Sequence, residues 1–154
     1  MRNLKEIIIL STIVMAMGLM VLVISENTSE VGEVRVADID DREIGLFQMT
    51  NGERENQLEW DDCLNEQARE RAKFLYENKY WAHYTPDGTT PWQFVEKCGY
   101  HYAGENLIKG FSNPEEMNDA LMKSELHRKN ITNPRYNAMG TGCHGDICVE
   151  FFKD

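Results

Sequence analysis

Apolar positions divide the chain into three stretches. Residues 7 to 25, IIILSTIVMAMGLMVLVIS, form a continuous apolar run without a single charge. At about 1.5 Å per residue, a helix of that length nearly crosses a bilayer core of roughly 30 Å. Residues 26 to 42, ENTSEVGEVRVADIDDR, are acidic and lack aromatics, which predicts a tether rather than a packed element. From residue 43 to 154 apolar residues return at regular spacing, so one domain is expected there.

Within that domain the spacing predicts helices first and strands late. Ile44 and Phe47, with Leu46 and Met49 beside them, mark a short helix from Asp41 that Asn51-Gly52 would end. Trp60, Leu64, Ala68, Ala72 and Leu75 recur at helical intervals across residues 60 to 80, opposite Glu66, Arg69, Glu70, Lys73 and Glu77. The following WAHYTPDGTTP is loop chemistry. Thr90, Pro91 and Gln93 there have the form of a capping box for a short helix that Gly99 stops. Asn113-Pro114-Glu115-Glu116 opens another helix, with Met117, Ala120 and Leu121 as its buried stripe and His127 near its end. YNAMGTGC and ICVEFF read as two strands about a tight turn at Gly145-Asp146. The order of elements predicts an α+β domain.

The flanks of the apolar run add direction. Arg2 and Lys5 precede it, which predicts an internal N-terminus and an exported domain. The run is longer than a usual signal-peptide core and no Ala-x-Ala site follows it, although Val23-Ile24-Ser25 is a permissible exit. Residues 1–25 are therefore expected to anchor the domain on the outer face of the cell membrane, or to release a secreted protein if cleaved. The 26 acidic and 16 basic side chains leave a net charge of −10, which argues against nucleic acid as a partner.

All four cysteines lie beyond the apolar run, and in an exported domain an even count predicts disulfides. Cys143 and Cys148 flank the turn and would face each other across two strands, leaving Cys63 for Cys98. The competing use is a metal clasp of Cys143, His144 and Cys148, one donor short of the four a structural zinc requires.

The chemistry left to assign is sparse. There is no His-Glu-x-x-His helix, no Gly-x-Ser-x-Gly elbow and no Gly-rich phosphate loop, so no organic cofactor is expected. Among the histidines, His101 and His144 have no supporting context and read as structural. His83 precedes the Pro86-Asp87-Gly88 turn on a loop held at both ends, where Trp81 and Tyr84 would pack it down. His127 lies beside Arg128 and Lys129, where the helix macrodipole alone favours cations. If that helix continues, Ser124 shares the face of His127 and Glu125 points elsewhere. Gly104-Glu105-Asn106 reads either as a helix start or as an acid held inward that needs partners.

Four separated motifs then occur in a familiar order: Asn51 with Arg54, the His83 to Gly88 turn, Gly104-Glu105-Asn106, and His127-Arg128-x-Asn130-Ile131. Together with YNAMGTGC they resemble the CAP superfamily, also called SCP-like or cysteine-rich secretory protein, antigen 5 and pathogenesis-related 1 domains, in its short prokaryotic form. The resemblance runs from about residue 43 to 152. It implies a three-layer α-β-α sandwich around a central antiparallel sheet, preceded here by the N-terminal transmembrane or signal helix. It also implies a cleft lined by His83, Glu105 and His127, in which the two imidazoles hold zinc or another divalent metal. The family's second cleft Glu has no direct counterpart, since Ser124 stands there with Glu125 next to it. A tryptophan common six residues before the second His is replaced by Leu121, and Asn106 is expected to support Glu105.

Family members are linked to sterol or lipid binding, to proteolysis and to signalling, so activity has to be argued from the site. Three expectations follow. The first is an exported, membrane-tethered binding domain for a divalent metal, small ligand, lipid or cell-surface protein. The second is a metal-assisted hydrolase of peptide, peptidoglycan or ester with Glu105 as general base. The third is a lipid or sterol carrier.

Overall fold

The computed structural model describes residues 40–101 and 103–154. The expected membrane segment and most of the tether lie outside the described residues. Among the described residues no helix is long and apolar enough to cross a membrane.

The elements run α1 (Asp41–Gly52), β1 (Glu59–Trp60), α2 (Asp62–Glu77), α3 (Trp92–Val95), a 3-10 turn (Glu96–Cys98), β2 (Ala103–Lys109), α4 (Pro114–Lys123), α5 (Glu125–Ile131), β3 (Ala138–His144) and β4 (Ile147–Lys153). The four strands form one sheet in the order β1-β3-β4-β2. β2 and β3 each run antiparallel to β4, but β1 is parallel to β3. The sheet is therefore mixed, which corrects the antiparallel sheet that the resemblance implied. With only two residues, β1 is too short to leave an alternating signature in sequence.

Side-chain alternation along β4 builds two cores. Ile147, Val149 and Phe151 pack with Leu64, Ala68, Ala72 and Leu75 of α2 and with Phe94 and Val95 of α3. Cys148 and Phe152 turn the other way, toward Leu46 of α1, Met117 and Leu121 of α4 and Ile131 of α5. Helices thus cover both faces of the sheet. The α2 side is unusually close: a Cβ on Gly140 would lie 2.2 Å from Asn65 N, and one on Gly142 would lie 2.0 Å from Arg69 N. The two glycines of YNAMGTGC are there to admit the helix backbone.

β1 covers only the start of β3, and side chains satisfy the rest of that edge. The amide of Asn65 donates to the Thr141 carbonyl, and the backbone N–H of Cys143 donates to Glu43 at 2.9 Å. Glu43 is itself buried and paired with Arg69 at 2.6 Å.

Both expected disulfides are formed, Cys63–Cys98 and Cys143–Cys148, which removes the metal clasp. α1 ends at Asn51-Gly52 as the sequence predicts, and the buried Asn51 side chain clips Leu58, accepting from its N–H at 2.7 Å and donating to its carbonyl at 3.1 Å. The Thr90 capping box does not form; α3 is a single turn whose N-cap is Pro91, with Phe94 N–H donating to the Pro91 carbonyl. Asn113 caps α4 as its sequence predicts, accepting from the N–H groups of Glu115 and Glu116. Two larger differences, the strand character of β2 and the break between α4 and α5, create the site.

Candidate functional site

β2 is an edge strand, and Gly104-Glu105-Asn106 lies within it rather than at a helix start or in a loop. Its seven residues pair with β4 from Ala103↔Lys153 to Lys109↔Ile147. Successive side chains on a strand point to opposite faces, so Glu105 and Asn106 serve different layers.

Glu105 turns toward α2. Its Oε1 accepts a hydrogen bond from Arg71 Nε at 3.0 Å, and its Oε2 lies 2.5 Å from His83 Nδ1. Arg71 is fully buried, donates also to the carbonyls of Ala82 and His83, and lies over the rings of Phe74 and Phe94. One guanidinium therefore compensates the carboxylate and fixes the loop that carries His83. Sequence reasoning missed Arg71. Its signal was a charged residue inside the apolar stripe of α2, three positions after Ala68 and four before Leu75.

The loop is closed on itself, with Thr85 and Thr89 bonded through their backbones and the Thr85 hydroxyl donating to Asp87 at 2.6 Å. Trp81 and Tyr84 do not pack it down. They are 50% and 66% exposed, so the loop is held by Arg71 and its own turn instead.

Asn106 turns the other way, donating to Glu150 Oε2 at 2.9 Å and to the His127 carbonyl at 3.3 Å. Its own side-chain oxygen accepts from Asn130 at 2.9 Å, and the same Asn130 amide donates to the Glu105 carbonyl on the open edge of β2. Asn106 thus ties β2 to β4 and α5 and makes no bond to the Glu105 carboxylate, to which it is related only through the shared Asn130. Arg54, the other early motif residue, donates to the carbonyls of Ile131, Asn133 and Tyr136 and so fixes the end of α5.

α5 reaches this edge because the chain breaks at Ser124, whose extended backbone (φ −86°, ψ 122°) ends α4 and starts α5. The expected single helix is therefore two, and the break re-aims His127 and Asn130. Burial, and then the neighbouring His83, pull the His127 imidazole below its usual value, which favours the neutral ring. Glu125 does not join the site: its carboxylate is 70% exposed and pairs with Lys129 along its own helix. Ser124 acts as the helix junction and makes no side-chain capping bond. His101 is exposed, and the His144 ring packs edge-on against Tyr76, so neither belongs to the site.

Between these elements lies a recess of about 250 Å³ lined by His83, Tyr84, Trp92, Gly104, Glu105, Asn130 and Tyr136, among others. A Cβ on Gly104 would meet the Tyr136 hydroxyl at 2.6 Å and Asn130 Oδ1 at 3.1 Å, so the glycine keeps the floor open. Among the described residues no group of three or more His, Cys, Asp or Glu side chains is placed to hold a metal ion.

The domain outline matches known proteins. A family model described as CAP, the cysteine-rich secretory protein family, matches residues 42–149. The chain belongs to that family. It is 38% identical over 103 residues to the uncharacterized protein YkwD of Bacillus subtilis (strain 168), covering 63% of this chain and 40% of that one. The chain thus spans less than half the length of this curated relative. Among solved structures, an extracellular SCP-domain protein of Bacillus anthracis str. Ames aligns over 73% of this chain and 40% of its own, at 24% identity and a TM-score of 0.67, a likeness of fold alone. An outer surface protein of Borrelia burgdorferi aligns over 71% of this chain and 89% of its own, at 28% identity and a TM-score of 0.64.

Proposed function

We propose that this CAP chain is an exported ligand-binding domain whose recess, at the open edge of β2, presents His83 to a small ligand or, together with the neighbouring His127, which is not among the lining residues, to an exchangeable divalent cation. The observation that carries this reading is the engagement of Glu105: one carboxylate oxygen is held by Arg71 and the other by His83. A general base has to reach the proton it abstracts, and this carboxylate faces its two partners instead.

The residues fit a cation to a limited extent. His83 Nδ1 is committed to a carboxylate, which is how metal-ligating imidazoles are commonly oriented, and its Nε2 makes no hydrogen bond among the described residues. With His127 the chain offers two imidazole donors, whereas zinc in hydrolases usually has three protein ligands. Such a site favours exchange over tight retention. Export is supported by the two disulfides, by the charge-free run of residues 7 to 25, and by the extracellular and surface descriptions of the relatives. The same run supports a membrane tether.

Zinc titration of the full chain in detergent, by calorimetry at pH 7.5, tests the cation. Saturable binding that disappears in a His83→Ala, His127→Ala double variant is expected. No heat, or heat unchanged in that variant, removes the claim. The Glu105–His83 contact supports a second reading, a hydrolase in which His83 rather than Glu105 is the base and water the nucleophile. Turnover of a peptidoglycan or ester panel, abolished by His83→Gln with the fold intact, would favour it.

A further inference from the structure

The rim of the cleft is aromatic, and nothing in the packing of the domain requires it to be. Tyr84 is 66% exposed and Trp92 is 37% exposed, and both line the recess. Neither side chain makes a hydrogen bond among the described residues. Large exposed aromatics beside a concavity mark a contact surface.

The floor is polar but carries little net charge. Among the described residues Glu105 is the sole acid that lines it, with Arg71 compensating from behind, and no lysine or arginine lines it. An anionic ligand would meet no cation there, and the net charge of −10 repels it further. A fatty chain fits poorly as well, because a recess of about 250 Å³ is smaller than the roughly 300 to 1,000 Å³ of typical closed ligand sites, and its base is polar. The floor offers polar atoms to a ligand: among the described residues His83 Nε2 is unused while Nδ1 holds Glu105, and Asn130 Oδ1 accepts no hydrogen bond while its amide is spent on Glu105 and Asn106.

We infer that the cleft binds a neutral pyranose ring of an oligosaccharide, its C–H face against Trp92 and Tyr84 and its hydroxyls on His83 and Asn130. A pyranose combines an apolar face with a ring of hydroxyl donors and acceptors, which matches an aromatic wall beside a neutral polar floor. Neighbouring rings extend outward over the exposed aromatics, since the recess itself holds little more than one. This assignment rests on the proposed binding function and names its ligand class.

The test titrates the full chain in detergent with triacetylchitotriose, cellotriose and maltotriose separately, with trigalacturonate as the anionic control. Binding is followed by calorimetry and by amide and indole shift mapping. At least one neutral trisaccharide is expected to bind with shifts at Trp92 and Tyr84, and the anionic control is expected not to bind. Trp92→Ala and Tyr84→Ala are each expected to weaken binding about threefold to tenfold. Both side chains are exposed, so the variants retain the fold and a thermal melt verifies it. If no neutral trisaccharide binds, or if binding ignores both aromatic variants, the assignment is overturned. Should sugars fail while zinc still reaches His83 and His127, the ligand class falls and the cleft stands; should both fail, the binding reading falls with it.

Discussion

Glu105 and Glu150 are both buried acids on neighbouring strands, and their surroundings differ in every other respect. Glu105 sits at the sheet edge between a buried guanidinium and a half-exposed imidazole that lines an open recess. Glu150 sits on central strand β4 and, among the described residues, accepts only from the Thr50 hydroxyl at 2.8 Å and the Asn106 amide at 2.9 Å, two neutral donors. Burial pushes the Glu150 carboxyl up to about 7, against the pull of those two hydrogen bonds. A carboxyl near neutrality is the mark often sought in catalytic acids, but Glu150 is fully buried. A shifted acid therefore points to function only where a ligand can reach it. At Glu105 the compensating charge lies inside the protein and the accessible partner faces outward.

The comparison breaks most sharply at Glu105. Glu105→Gln leaves Arg71 buried without a counter-charge and is expected to cost about 3–5 kcal/mol of stability. Urea unfolding at pH 7 measures it, and a loss below about 1 kcal/mol would mean that the pair does not hold the fold. Glu150→Gln should act with the opposite sign at high pH. The folded carboxyl is pushed up to about 7 from its ordinary 4.5, so its contribution to stability is complete below 4.5 and is lost as pH rises through 7. By pH 8 that loss approaches about 3 kcal/mol, and the Gln variant should unfold later than the wild type there while matching it near pH 4.5. Identical pH profiles for the two would place Glu150 with Glu105 as a compensated acid. The smallest effect belongs to His127, whose lowered folded value gives stability that is complete above 6.5 and lost as pH falls through that lowered value. His127→Phe should flatten this acid-side loss, by less than Glu150→Gln changes the alkaline side; a steeper acid-side loss in thermal melts would contradict it.

Much of the scaffold was legible in the residues. The long α2 stripe, the Asn113 cap and the hairpin with its disulfide all depend on contacts between residues near one another in sequence. The motifs also pointed to His83, Glu105 and His127. β2 was not visible as a strand, because both of its faces are covered and Gly104, Glu105 and Asn106 give it no apolar alternation. Ser124 ends α4 through its backbone conformation, and no glycine or proline announces the break.

Sequence alone therefore pointed to the family, the Cys143–Cys148 disulfide, most helices and the candidate side chains, since each rests on local spacing or on a recognisable motif, with Cys63–Cys98 left by elimination. Tertiary structure decided what those side chains meet. The sheet orientation at β1 and the buried Arg71 behind Glu105 arise from segments far apart in the chain, while the facing of Glu105 and Asn106 and the exclusion of Glu125 follow from a strand and a helix break that only the packed fold establishes. Such pairings are set by packing across the sheet, where one guanidinium from α2 holds Glu105 inward and leaves His83 lining the recess.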